Sequence, residues 1–118
     1  MNEKRKNERK KLMAFTPVDD SRQNILGYLG DLTIEGARLI GEKSMEVNKR
    51  ITLVIDFPAA SDLPARRVTV PARVIWCNEE ENRQYFNTGF EFQDIGQQDK
   101  AIIGAILERF QFHRPMHA

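Results

Sequence analysis

The chain has 118 residues, of which 41% are hydrophobic and 30% are charged, and its formal net charge is +1. This length and composition predict one folded domain with a modest core, and they exclude a chain that is disordered throughout. The small net charge argues against a general nucleic-acid coat, and the single cysteine, Cys77, excludes an intramolecular disulfide and a thiolate metal cluster.

The first eleven residues differ in composition from everything that follows. They carry six basic side chains against two acidic ones, a net of +4, which leaves −3 for the rest of the chain. They contain no apolar residue after Met1 and no pattern that could pack. We therefore expect a flexible basic arm over residues 1–11 and a single folded domain over residues 12–118. A basic arm on a slightly acidic body indicates an anionic partner.

From Leu12 to about Gln93 the sequence has the pattern of β-strands. Apolar residues alternate with polar ones at the period of two expected for a strand with one buried face. The predicted strands are 12–18, 25–31, 37–40, 51–57, 68–76 and 86–92. Because turn residues separate these six segments, the sequence predicts a six-stranded antiparallel β-barrel, in the mainly β class.

Two details of the predicted strands can be checked directly. Pro71 cannot donate a hydrogen bond to a neighbouring strand, so we expect an edge or a bulge at this position. The aromatic residues near the ends of the last two strands are expected in the core rather than on an exposed stacking platform. They are Trp76, Tyr85, Phe86 and Phe90.

The last part of the chain changes period. In residues 97–112 one apolar stripe has the spacing of a helix face; it consists of Ile102, Ile103, Ile106, Leu107 and Phe110. Pro115 prevents the helix from continuing. We therefore expect a C-terminal α-helix that covers one mouth of the barrel.

Two short motifs indicate a binding function. Residues 5–9 read R-x-x-x-R, and residues 31–36 read D-x-T-x-x-G. In this order and at this spacing they resemble the PilZ domain, the bacterial receptor module for cyclic di-GMP. The resemblance extends to Arg38, two residues beyond the motif's glycine, and to Gly-Phe-Glu-Phe at residues 89–92. It covers the whole chain.

The resemblance implies a set of ligand contacts, at Arg5, Arg9, Asp31, Thr33, Gly36 and Arg38. An arginine fork can engage the O6 and N7 acceptors of guanine or pair with a phosphate, and a carboxylate can accept from guanine N1 and N2. A hydroxyl can donate to a phosphate, although the family usually has serine where this chain has Thr33. The glycine allows close backbone approach.

The function expected from the resemblance is that of a cyclic di-GMP receptor, whose arm becomes ordered on binding and which signals to an unidentified effector protein. One alternative is a PilZ-type adaptor that binds proteins but no nucleotide. A weaker alternative is a barrel for single-stranded nucleic acid, which would need basic residues interleaved with exposed aromatics along a strand face. The basic residues lie in the arm instead, so we expect no DNA or RNA partner. The protein is expected to be a monomer or a homodimer.

Several other function classes lack support in the sequence. We find no Ser-His-Asp, H-E-x-x-H, P-loop or paired-carboxylate pattern, so we expect no enzyme, no cofactor and no metal site. No apolar run approaches the roughly 20 residues that cross a bilayer, and the N-terminus lacks the apolar segment of a signal peptide. The expected location is the cytoplasm, without membrane insertion.

Overall fold

The computed structural model describes residues 10–11, 16–59, 64–81 and 84–111. In this part of the chain there are eight strands and one helix. In chain order they are β1 (Lys10–Lys11), β2 (Pro17–Asp19), β3 (Ile25–Leu32), β4 (Gly36–Gly41), β5 (Arg50–Phe57), β6 (Arg66–Glu79), β7 (Phe86–Phe92), α1 (Gln97–Arg109) and β8 (Phe110–Gln111).

Six of the strands form a closed barrel in the order β2-β3-β4-β7-β6-β5, and every neighbouring pair is antiparallel. The alternation read from the sequence places every second residue inside. In β5, for example, Leu53 and Ile55 are fully buried and Phe57 nearly so. The predicted six-stranded antiparallel barrel is confirmed.

Helix α1 completes the core as the apolar stripe predicts, except that it ends at Arg109 and Phe110 belongs to β8 instead of the helix. Ile103 and Ile106 are buried, and Ile102 and Leu107 pack against the core while partly exposed. The helix contacts β6. Each fully buried isoleucine contributes about 1.5–3 kcal/mol to stability, so the helix is part of the domain and not an appendage.

A small parallel pairing joins the two ends of the described chain. Lys10–Lys11 in β1 pairs with Phe110–Gln111 in β8, directly after α1. No sequence pattern indicates this contact, because a two-residue strand of lysines has no apolar alternation. Arg5, Arg9 and most of the predicted segment 12–18 lie outside the described residues.

The prediction that Trp76 lies in the core is wrong. The pairing of β6 with β7 shifts by one residue between Val74 and Trp76, which is a β-bulge. A one-residue shift turns the following side chain to the other face of the sheet. Trp76 is therefore 37% exposed and faces outward. Tyr85 is also exposed, whereas Phe90 is buried as expected and Phe86 is half-buried.

Pro71 lies inside β6, opposite Thr52 of β5, and not at the bulge. Its carbonyl accepts a hydrogen bond from the N–H of Gln93 at 2.8 Å. The nitrogen and the carbonyl of a strand residue point to the same side, so the proline nitrogen faces the residue just beyond the end of β7. The bond that a proline cannot donate would run to Gln93, beyond the last residue of β7, so only the terminal bond of the β6–β7 pairing is missing and a proline fits within this strand.

Candidate functional site

The turn between β3 and β4 is built by Thr33. Its Oγ1 accepts hydrogen bonds from the N–H of Glu35 at 3.0 Å and from the N–H of Gly36 at 3.2 Å. Its own N–H donates to the Gly36 carbonyl at 2.9 Å. A hydroxyl that bonds to the backbone two and three residues ahead holds a tight turn. Thr33 is exposed, so the turn presents it to solvent.

Gly36 is required by the neighbouring strand. A Cβ at this position would lie 2.2 Å from the carbonyl oxygen of Phe90 in β7, closer than any side chain tolerates. The carbonyl of Glu35 accepts a hydrogen bond from the N–H of Phe92 at 2.9 Å, which ties the turn to the same strand. The motif's glycine therefore has a role in the fold that needs no ligand.

Asp31 lies at the end of β3 and provides an unused acceptor. Its Oδ1 is buried and has no hydrogen-bond partner among the described residues. Leaving a buried polar atom unsatisfied costs about 1–3 kcal/mol, and more for a charged group. Such an atom in a native fold indicates a missing donor.

Arg38 is the cross-strand partner of Asp31 in the β3–β4 pairing, yet its guanidinium bonds elsewhere. Nη1 donates to Oδ1 of Asn87 at 2.6 Å, and Nη2 donates to the Gly30 carbonyl at 3.2 Å. A Cβ on Gly30 would lie 3.0 Å from the guanidinium, so the glycine leaves the room that the side chain occupies. Asn87 in turn donates from Nδ2 to Oε2 of Glu80.

One row of outward-facing residues crosses four strands, and we call it the site wall. The register places Asp31 beside Arg38, Arg38 beside Gly89, and Gly89 beside Trp76. The indole lies over the glycine, because a Cβ on Gly89 would be 2.3 Å from Nε1 of Trp76. The site wall thus combines a free acceptor, a held guanidinium and a partly exposed aromatic ring.

The sequence motif predicted four residues of this wall and its adjoining turn, Asp31, Thr33, Gly36 and Arg38, but did not include Trp76. The run Val74-Ile75-Trp76 is apolar at three successive positions, where strict alternation requires a polar one. That interruption was the available signal of a bulge. Arg5 and Arg9, the other predicted ligand contacts, lie outside the described residues.

Metal-binding clusters and membrane-spanning helices are both absent from the described residues. No cluster of three or more His, Cys, Asp or Glu side chains has an arrangement that could hold a metal ion. Within the same part of the chain, no helix combines the length and the apolar character needed to span a membrane.

Comparisons with known proteins agree with the architecture. A family model for the PilZ domain matches residues 3–109. The solved structure of the Bacillus subtilis inhibitor of motility, MotI/DgrA, superimposes with a TM-score of 0.64 at 13% sequence identity, over 80% of this chain and 45% of that one. The chain therefore spans less than half the length of this structural neighbour, and at this identity the likeness concerns the fold alone. No curated protein matches the chain.

Proposed function

Because the chain belongs to the PilZ domain family, whose members are receptor and adaptor modules, we propose that it is a cyclic di-GMP receptor that signals to an effector protein. The observation that carries the proposal is Asp31, whose buried Oδ1 has no partner in the described part of the chain. It lies beside Arg38, whose guanidinium is already held in place. No catalytic step, cofactor or metal is required.

The side chains near the site wall offer what a guanine nucleotide needs. Guanine N1 and N2 are donors suited to Asp31, and its O6 and N7 are acceptors suited to an arginine. Within the described part of the chain, two of the five N–H donors of Arg38 form hydrogen bonds, and the other three can donate to guanine or phosphate. The exposed face of Trp76 provides a surface on which a base can stack.

Thr33 has a hydroxyl proton to give. Its oxygen accepts two backbone hydrogen bonds, but the hydrogen bond that its proton makes, to the Gly36 carbonyl, is 3.5 Å long. A hydrogen bond of that length is weak. A phosphate oxygen of the ligand would be the better acceptor, and the two backbone bonds hold the hydroxyl in place for it.

The basic arm supplies the remaining charge. Arg5 and Arg9 would clamp the phosphates or stack on the guanines and thereby close the arm over the ligand. Strand β1 follows Arg9 directly and pairs with β8 at the end of α1. Closure of the arm would therefore act on the β1–β8 pairing and alter the surface that an effector protein recognises.

Isothermal titration of the purified protein with cyclic di-GMP tests the proposal. We expect saturable binding with a low-micromolar or tighter Kd, which corresponds to a binding free energy on the order of −8 kcal/mol. GTP and cyclic AMP are the controls, and neither should compete. Absence of heat and of any thermal shift at about 100 μM ligand would overturn the proposal in favour of a PilZ-type adaptor that works through protein contacts alone.

A further inference from the structure

The Arg38 guanidinium bonds to Asn87 although Asp31 is its cross-strand partner. We propose that Asn87, oriented by Glu80, is the positioning residue of the site: it directs the Arg38 guanidinium toward the ligand and prevents it from pairing with Asp31. The inference rests on the proposed function, since it concerns how the same site is kept ready to bind.

The strand register alone favours a different arrangement. Asp31 and Arg38 are direct cross-strand partners on the outer face of β3 and β4. Side chains at such positions have Cβ atoms about 4.5–5.5 Å apart, and opposite charges there attract each other. Yet no ion pair joins Asp31 to Arg38 in the described part of the chain; the guanidinium bonds to Asn87 at 2.6 Å and to Gly30 at 3.2 Å.

The orientation of the Asn87 amide is fixed by its other partner. A carboxylate only accepts hydrogen bonds, so Glu80 must take the Nδ2 side of the amide, which turns Oδ1 toward Arg38. Glu80 is itself held by the β6–β7 turn, where its N–H donates to the Tyr85 carbonyl at 2.8 Å. Charge and polarity thus run in one direction, from Glu80 through Asn87 to Arg38.

This arrangement has a consequence for binding. Guanine presents both acceptors and donors on its edges. The site can bind both kinds of group only if the Arg38 guanidinium and the Asp31 carboxylate are not already paired with each other. An ion pair between Arg38 and Asp31 would satisfy both groups internally and would have to be broken by the ligand. Asn87 prevents that loss because it satisfies the guanidinium on its far side.

Substitution of Asn87 tests the inference through ligand affinity. Asn87→Ala should weaken cyclic di-GMP binding by about tenfold. In the Arg38→Ala background the same substitution should add little, because a residue that acts through Arg38 has nothing left to position. An equal loss in both backgrounds would show that Asn87 acts by itself and would overturn the inference.

A rescue variant separates positioning from folding. Asn87→Asp alone places a second carboxylate against Glu80 and should weaken binding. Asn87→Asp combined with Glu80→Gln keeps an acceptor for Arg38 and gives it an amide donor on the other side, so affinity should return to within about threefold of wild type. Asp56→Asn, which weakens the 2.7 Å contact to Arg67 elsewhere on the barrel, is the control and should leave affinity unchanged.

A measurement on the ligand-free protein keeps this test independent of the proposed function. Nitrogen-15 NMR of the Arg38 guanidinium reports its partner directly. In the Asn87→Ala protein, adding Asp31→Asn should move the Arg38 signals, because the guanidinium has turned to Asp31. With Asn87 intact, Asp31→Asn should leave them in place. If Asp31→Asn moves the signals equally in both proteins, Asn87 does not hold the two apart, whether or not cyclic di-GMP binds.

Discussion

The turn between β3 and β4 uses Thr33 and Gly36 for its own geometry before any ligand is considered. The hydroxyl oxygen closes the turn, and the glycine lets it lie against Phe90 of β7. Among the described residues, the groups that the fold leaves available are the hydroxyl proton of Thr33, which reaches the Gly36 carbonyl only at 3.5 Å, the buried Oδ1 of Asp31 and three N–H donors of Arg38. Substitutions that remove these groups therefore test ligand binding one residue at a time.

Substitution of Thr33 separates the structural use of the hydroxyl from the ligand contact. Thr33→Ser keeps the acceptor and the donor, so binding should be equal or tighter, and tighter binding would mean that the threonine methyl group crowds the ligand. Thr33→Val removes both and should cost roughly 1 kcal/mol or more of cyclic di-GMP binding energy. Titration calorimetry measures both, and thermal unfolding of the free proteins shows how much of the loss is structural.

The opposite outcome for Thr33 has a clear meaning. If Thr33→Val binds as tightly as wild type, the hydroxyl serves only the turn. The ligand contacts would then rest on the arm, Asp31 and Arg38.

Residues within a motif could be predicted from the sequence, and residues defined by long-range pairing could not. Asp31, Thr33, Gly36 and Arg38 lie within eight positions of one another, so a local pattern identifies them. Asn87 reaches Arg38 across 49 positions. Nothing in the local sequence of β7 marks it, because its role depends on the register of β4 against β7.

At the scale of elements, alternation predicted β3, β4, β5 and β7 to within two residues of their observed bounds. It failed in the second half of β6, which the prediction ended at Trp76 and which continues to Glu79. The alternation of apolar and polar residues indicates which face of a strand is buried. It cannot predict the part of a strand that keeps its backbone pairing after its side chains have left the core. The bulge at Val74 and Trp76 marks the point where this information ends.

Gly89 in β7 determines where the Trp76 ring lies. In Gly89→Ala, the added Cβ would meet the indole at 2.3 Å, so the ring must move off the site wall. Because Trp76 is the single tryptophan, its emission spectrum should shift in this variant. The affinity for cyclic di-GMP should fall by about fivefold or more through the lost stacking surface, since stacking on an aromatic side chain contributes about 1–3 kcal/mol per base.

Gly104 provides the matched control for Gly89. A Cβ at this position in α1 meets nothing within 4 Å. Gly104→Ala should therefore raise stability by about 0.5–1 kcal/mol and leave emission and affinity unchanged. If Gly89→Ala behaved like Gly104→Ala in emission and affinity, the Trp76 ring would not belong to the binding surface.

For the whole molecule, closure of the barrel explains why fold class was predictable. Six short strands with buried alternate faces leave no exposed edge only if they close on themselves, and the helix stripe needs a core to pack against. The β1–β8 contact is of a different kind. It joins positions 10–11 to 110–111 through backbone hydrogen bonds. Almost every residue type can form such bonds, so the amino-acid composition could not predict this contact.

The arm offers the decisive test of how the whole molecule would respond to the ligand. Arg5→Ala or Arg9→Ala should weaken cyclic di-GMP binding by at least about tenfold, because a charge-assisted contact contributes about 1.5–3 kcal/mol. Thermal stability without ligand should barely change, since the β1–β8 pairing uses backbone groups of residues 10–11 and not these side chains. Arg50→Ala, at an exposed arginine of β5 outside the site wall, is the matched control and should bind normally.

Hydrogen exchange extends this test from affinity to signalling. If arm closure acts on β1 and β8, cyclic di-GMP should slow amide exchange at Phe110–Gln111 in wild type but not in Arg9→Ala at equal ligand occupancy. Binding that leaves exchange at β8 unchanged would mean that the signal leaves the barrel by another route. A variant that melts well below wild type without ligand would show instead that the arm is structural, and its arginines would then stabilise the fold rather than capture the nucleotide.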